Sequence, residues 1–210
     1  MQIIQLREGH LLMSNVSRLA FLLPLLLGLS FNSLSAFTAY FCERLGNDRG
    51  RALTFVLRNI LGIPVWTIGF ALAARSSMRP VLGPSTARDV AAWVLIACGS
   101  TVILFALAAL RGKAAAPSPG DALVDYGLYA HVRHPIRSAM VLEFLGLALL
   151  MPTPPVLLAS IAGLGWLVVQ SRLEEMDLCR RIPAYGDYMQ RVPRFVPRVS
   201  FRPRPRVGRR

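Results

Sequence analysis

SAMVLEFLGLALLMPTPPVLLASIAGLGWLVVQSRLEE, residues 138–175, decides how this chain folds. Two apolar runs, Ser138 to Met151 and Val156 to Ser171, flank the break Met151-Pro152-Thr153-Pro154-Pro155. Proline has no backbone N–H and cannot continue a helix, but it suits a helix's first turn. The pattern therefore predicts a helical hairpin. Its arms are short beside the roughly 20 apolar residues a membrane-crossing helix needs, so it is read as tilted or not fully crossing. A hairpin returns the chain to the side it left. What enters it, Gly127-Leu128-Tyr129-Ala130-His131-Val132-Arg133-His134-Pro135, must then meet what leaves it, Arg172-Leu173-Glu174-Glu175. A closing run follows, from Tyr185-Gly186-Asp187-Tyr188 through Arg191-Val192-Pro193 to Pro197. Two ionisable clusters are thus expected on one membrane face.

Working outward, the rest of the chain is built for lipid. It is 54% hydrophobic, with a mean hydropathy of +0.47. Ala20 to Cys42 and Val90 to Leu110 carry no charge and are long enough to cross about 30 Å of hydrocarbon. Asn59 to Ala74 becomes a span if it begins near Ala52 and tolerates Arg58. No strand pattern is convincing. The expected fold is all-α: a polytopic membrane protein of about five transmembrane helices, the last two forming the hairpin. Met176, Leu178, Cys179 and Ile182 suggest an interfacial helix after Glu175, ended by Pro183. The expected organisation is an N-terminal tail (1–18), three spans (19–110), a catalytic-like region containing the hairpin (111–198) and a disordered basic tail (199–210).

The net charge of +13 is nearly all arginine, and its placement is informative. With five spans, one side carries the 42–51 loop, the 111–137 loop and everything after the hairpin, with 3, 4 and 11 basic residues. The other side carries the N-terminus, the 75–89 loop and the hairpin turn, with 2, 3 and 0. Positive loops stay inside, so the richer side, with the C-terminus, is expected in the cytoplasm. An inner membrane location follows if the source is bacterial. The terminal prolines and arginines read as a juxtamembrane segment drawn to anionic lipid rather than a nucleic-acid arm. The bilayer is the expected partner, with no nucleic acid.

Cys42, Cys98 and Cys179 are odd in number and lack metal spacing. Neither a disulfide nor a metal is expected. The first apolar run continues past Ser33-Leu34-Ser35-Ala36 to Phe41, which reads as an uncleaved span rather than a signal peptide. Met13 is a plausible alternative start.

The four elements in order, Tyr129-x-x-x-Arg133-His134-Pro135, hairpin, Glu174-Glu175, and Tyr185-x-x-Tyr188 before Arg191-Val192-Pro193, resemble one family closely. It comprises the isoprenylcysteine carboxyl methyltransferases with their phospholipid-methyltransferase and bacterial relatives. The likeness covers roughly residues 121–198. It implies an integral membrane enzyme using S-adenosyl-L-methionine and a lipophilic or small-molecule methyl acceptor. It places cofactor contacts at Leu123, Val124, Tyr129, His134, Pro135, Ile136 and Arg137, and further ones at Glu175, Tyr185 and Tyr188. Glu174, Arg133 and His134 are the implied catalytic residues. Arg191 matches the closing motif.

Methyl transfer from a sulfonium asks the protein mainly for position and charge control. Such a cofactor needs a cation for its carboxylate, an acceptor for its ammonium or ribose, and aromatic or apolar surface for its base and sulfonium. Arg133 with His134, Glu174 with Glu175, and the three tyrosines supply these groups. Each also has an ordinary reading, as positive-inside anchors, a solvated helix start and interfacial belt tyrosines. A carboxylate acceptor needs no base. A thiol or amine needs deprotonation, for which Glu174 or His134 could serve.

The chain departs from the family at Arg137 and Ala139, where tyrosine and glycine are usual. Gln170 stands where carboxyl methyltransferases carry arginine, and Ile182-Pro183 replaces Phe-Gly. Two alternatives follow: a sterol-reductase-like NADPH enzyme, which should show more spans and a longer tyrosine-rich pattern, and a non-enzymatic protein on a decayed scaffold. Charges within spans are rare and usually paired or functional. Arg58 and Glu143 are accordingly expected to pair, or Glu143 to face the site.

Overall fold

The structure, a computed structural model, describes residues 19–111 and 117–198. The N-terminal tail, with its alternative start, and the basic C-terminal tail lie outside the described residues. Among the described residues the protein is helical without strands. Helices α1 (Leu22–Leu34) and α2 (Thr38–Leu45) are one apolar stretch bent by 65°. Next come α3 (Asn47–Ala74) and α4 (Thr86–Leu110), then a 3-10 turn at Gly127–Ala130. The hairpin is α5 (Pro135–Leu150) with α6 (Pro154–Arg181), and α7 (Tyr185–Arg191) closes the chain.

Among the described residues three helices, α3, α4 and α6, are long and apolar enough to cross a membrane, and α1 with α2 makes a fourth if the bent pair is one span. The 16-residue α5 rises about 24 Å at 1.5 Å per residue. It is the short arm that the sequence suggests. Its partner is longer than expected. The stretch after Glu175 is the last turns of α6 itself, and only α7 stands apart, after the break at Ile182 and Pro183.

Small residues set the packing. Gly28 of α1 lies against the backbone of Trp66, and Gly69 of α3 against Leu25. A Cβ at either would drive α1 and α3 apart, as at close crossings of membrane helices. α4 packs chiefly along α5, with Gly99 against Ala139 and Gly146 against Ala92. The core joins α1, α3, α5 and α6 through Leu25, Phe70, Phe144, Ala159 and Leu167. Phe70 stacks on Phe144, with centroids 5.1 Å apart. Val81 N–H donates to Pro152 O at 2.8 Å, so the 75–85 loop and the hairpin turn share one end. The charged clusters gather at the other.

Two irregularities aim residues at that charged end. Within α3, Val56–Gly62 is a π-helix, a widened turn that often marks function. Arg58 and Asn59, adjacent in sequence, both face the same hollow as a result. The bend between α1 and α2 is the other. There Ser35 Oγ donates to Asn32 O and accepts from Arg58 Nε at 3.2 Å. Asp177 Oδ1 accepts the Ala39 N–H at 2.6 Å and so satisfies a free donor in the first turn of α2.

Candidate active site

A cavity of about 620 Å³ opens at the charged end, within the range of small-molecule sites. Its polar part is walled by Tyr129, His134 and Arg137 at the hairpin entrance, Glu174 on α6, and Tyr185 with Tyr188 on α7. Its apolar part runs past Met140 and lies between Ile63 and Trp66 of α3 and Leu107 and Leu110 of α4. α3 and α4 do not pack together closely, so this arm of the hollow lies between two membrane helices.

Local sequence explains the entrance. Gly127 takes φ +59°, a left-handed conformation suited to glycine, and starts the 3-10 turn. That turn brings Tyr129 inward. Pro135 opens α5 at its first turn, which leaves His134 just outside the helix with Arg137 one turn on. Tyr188 O–H donates to Tyr129 O at 2.6 Å, so α7 is pinned onto the turn.

The two glutamates diverge. Glu174 Oε1 lies 2.6 Å from Arg137 Nη2 and 3.2 Å from Arg58 Nη2. The expected Arg58–Glu143 pairing is thereby corrected: Arg58 reaches across to α6, while Glu143 Oε1 accepts from Ser100 Oγ on α4 at 2.7 Å and does not line the cavity. The physical reason is that the π-helix turns Arg58 toward α6, whereas Glu143 lies on the α4-facing side of α5. Glu175 points away from the hollow. It takes Arg133 Nη2 at 2.9 Å, His134 Nε2 at 3.1 Å and Arg194 Nη2 at 2.6 Å.

Of the residues expected to bind cofactor, Leu123, Val124, Tyr129, His134, Ile136, Arg137, Tyr185 and Tyr188 line the cavity. Pro135 and Glu175 are buried behind it. Glu174, Arg133 and His134, expected to be catalytic, also line it. Arg133 is nonetheless largely structural: besides Glu175, its Nη1 donates to Met189 O and Val192 O, both at 2.6 Å, closing the end of α7. Arg191 bonds the Asp187 carbonyl on its own helix.

Sequence reasoning passed over Asn32, Asn59, Trp66, Asp177, Arg181 and Arg194. Asp177 and Arg181 could have been found: they continue the Glu174 face of α6 at helical spacing. Arg181 bonds Asp177 Oδ2 at 2.6 Å and Ser118 O at 2.7 Å, which ties the loop carrying Leu123 and Val124 to α6. Asp121 of that loop lies 3.7 Å from the same guanidinium.

The site's protonation states follow from its contacts. A guanidinium only donates, so Arg137 Nη1, 2.7 Å from His134 Nδ1, requires a bare Nδ1. Nε2 then carries the proton and gives it to Glu175. Burial, together with the Arg137 charge, holds His134 below the usual histidine range. Burial also pushes the Tyr188 phenol up to about 12, and those of Tyr129 and Tyr185 higher still. All three tyrosines are neutral.

This donor set fits S-adenosylmethionine. Arg137 offers a guanidinium for its carboxylate, and Glu174 an acceptor for its ammonium or ribose. Tyr129 and Tyr185 offer aromatic surface. The buried Tyr185 hydroxyl has no hydrogen-bond partner among the described residues, so a polar ligand would satisfy it. No His, Cys, Asp and Glu grouping suited to a metal occurs among the described residues.

No curated protein and no solved structure matches the chain. A family model described as phospholipid methyltransferase matches residues 87–183, from the start of α4 to the end of α6, leaving α1 to α3, α7 and the Arg194 segment outside. Over residues 87–183 the chain thus carries the pattern of the phospholipid methyltransferase family, and the resemblance to membrane methyltransferases read from its sequence is shown there.

Proposed function

We propose that this protein transfers a methyl group from S-adenosylmethionine to a lipophilic or small acceptor at the cytoplasmic face of a membrane. One observation carries the reading: a single cavity joins a polar compartment, holding Arg137, Glu174, Tyr129 and Tyr185, to an apolar arm between α3 and α4. The polar compartment suits the cofactor. The apolar arm suits an acceptor that arrives from the bilayer. When bound, the sulfonium cofactor supplies an electrophilic methyl group whose departure leaves a neutral thioether.

The residues then orient and exclude water rather than move protons. Arg137 and Glu174 hold the polar end of the cofactor, and Met140, Trp66 and Leu107 keep the acceptor dry. Each acid lining the cavity faces a guanidinium: Glu174 faces Arg58 and Arg137, and Asp177 and Asp121 face Arg181. His134 has both ring nitrogens engaged. Such groups are poor bases, because taking a proton would break a charge-assisted hydrogen bond. Among the described residues Arg58, Arg111, Arg137 and Arg181 line the cavity against Asp121, Glu174 and Asp177, with Arg133 beside them paired to Glu175. That excess of positive charge favours an anionic acceptor such as a carboxylate and disfavours an ammonium. Among the acceptors open at the level of sequence, the carboxylate fits best.

The test is purified full chain in detergent with S-adenosylhomocysteine or NADPH, followed by labelled-methyl transfer in membranes. Stabilisation by S-adenosylhomocysteine alone, with alkali-labile label in the lipid extract, is expected. Stabilisation by NADPH instead would support a reductase, and stabilisation by neither a non-enzymatic protein.

A further inference from the structure

Six side chains run unbroken through the charged end: Arg194, Glu175, His134, Arg137, Glu174, Arg58. The links are Arg194 Nη2 to Glu175 Oε2 at 2.6 Å and Glu175 Oε1 to His134 Nε2 at 3.1 Å. His134 Nδ1 to Arg137 Nη1 follows at 2.7 Å, then Arg137 Nη2 to Glu174 Oε1 at 2.6 Å and Glu174 Oε1 to Arg58 Nη2 at 3.2 Å. The middle four lie inside the family-matching stretch; the two ends do not. Arg58 comes from the π-helix of α3. Arg194 comes from a strap laid along the hairpin entrance, where Arg133 N–H donates to Pro193 O, His134 N–H to Arg194 O, and Ser138 Oγ to Phe195 O.

We propose that this chain of contacts locks His134 in its neutral Nε2–H form, and that Arg194 and Arg58 are the positioning residues that hold the lock from its two ends. Arg194 is the decisive end. It makes two bonds to Glu175, at 3.0 and 2.6 Å, one to each oxygen, and together with Arg133, which makes two more to Oε1 at 3.0 and 2.9 Å, compensates the carboxylate charge that would otherwise draw a second proton onto the imidazole. A doubly protonated His134 would aim an N–H at the Arg137 guanidinium, losing that bond and adding like-charge repulsion. Arg137 would then leave its place between His134 and Glu174, and the cavity would lose its cation. Arg58 acts at the far end: it shares Glu174 with Arg137 and fixes where that carboxylate sits.

Among the described residues, the charged groups acting on His134 are Arg137 on its own helix and Glu174 and Glu175 on α6, while Tyr129 on the 3-10 turn and Tyr185 on α7 line the same cavity. Arg133 precedes His134 in sequence, and Arg194 with the Phe195 ring lies on the strap. Both carboxylates favour the protonated ring, Glu175 through its direct bond to Nε2, and Arg194 compensates Glu175 beside Arg133 from the solvent side, with 31% of its side chain exposed.

Two measurements on the full chain in detergent test this. The first is the nitrogen-15 spectrum of labelled histidine, with His134 assigned by His134→Asn. The native protein should keep Nδ1 bare and Nε2 protonated from pH 6 to 8. Arg194→Gln should make His134 titrate within that window, with Arg194→Lys between the two. A native His134 that titrates there, or that carries its proton on Nδ1, overturns the proposal. So does an Arg194→Gln spectrum indistinguishable from native. The second is S-adenosylhomocysteine affinity against pH, which rests on the methyltransferase reading. Native affinity should be flat, whereas Arg194→Gln should match it at pH 8 and weaken about tenfold by pH 6, as a one-unit linkage gives. If the spectra behave as expected and no affinity is found in any variant, the lock stands and the methyltransferase reading falls.

Discussion

Glu174 and Glu175 are identical neighbours on α6, yet they build two different regions. Successive helix positions are rotated by about 100°, so one carboxylate turns to the cavity and the other to the strap. Glu174 meets Arg58 and Arg137 at the edge of the hollow, with 22% of its side chain exposed. Glu175 is 8% exposed and gathers Arg133, His134 and Arg194 from the hairpin entrance and the strap. The cavity region stays open to the hollow. The strap region closes on itself and holds the elements together. A paired motif in a sequence can therefore divide into one group that faces the ligand and one that holds the group that does.

That contrast can be broken most directly at the strap. Glu175→Ala removes the common partner of two buried or half-buried guanidinia and a histidine. It should destabilise the protein by about 3–5 kcal/mol, the scale for breaking a buried pair, as read by chemical denaturation in detergent. Glu174→Ala should destabilise clearly less. Equal losses would erase the distinction.

The complementary change is Glu174→Gln, which keeps shape and removes charge at the cavity. Affinity for S-adenosylhomocysteine should fall by about 2–3 kcal/mol, roughly a hundredfold, with a stability loss smaller than that of Glu175→Ala. A stability loss without an affinity loss would reassign Glu174 to scaffolding.

Smaller effects sharpen the boundary between the regions. A double-mutant cycle on Arg58 and Glu174 should give a coupling of about 1–3 kcal/mol, whereas Arg58 with Glu143 should be additive within about 0.5 kcal/mol. Coupling to Glu143 instead would reverse the assignment of the α3 charge.

The smallest effect is in pH. His134 is held below its ordinary value of 6.5 by burial, so below that value the unfolded chain takes up a proton that the folded chain refuses. Its contribution to stability is therefore full above about pH 6.5 and is lost as pH falls from there toward the folded value. His134→Asn should flatten this segment of the stability–pH profile, and an unchanged slope would argue against a buried neutral His134.

Much of the architecture was legible because lipid imposes simple rules. The charge-free run Val90 to Leu110 marked α4 and Met151 to Pro155 marked the hairpin, whereas the run Ala20 to Cys42 gave no sign of the 65° bend that divides it into α1 and α2. The meeting of the His134 and Glu174 clusters followed from the hairpin alone. The length of α6 was harder to read, since the polar residues from Arg172 onward look like a helix end but continue as helix to Arg181.

Sequence by itself determined the all-α membrane fold, the hairpin and the set of ionisable residues at its open end, because hydropathy, proline positions and residue spacing are local properties of the chain. Tertiary structure decided which charge meets which. A π-helix turned Arg58 to Glu174 rather than Glu143, a bent helix pair brought Asn32 and Ser35 to the same place, and a strap carried Arg194 back to Glu175. Those pairings depend on helix rotation and on contacts across more than a hundred residues in some cases, such as Arg58 with Glu174. No local pattern carries that information.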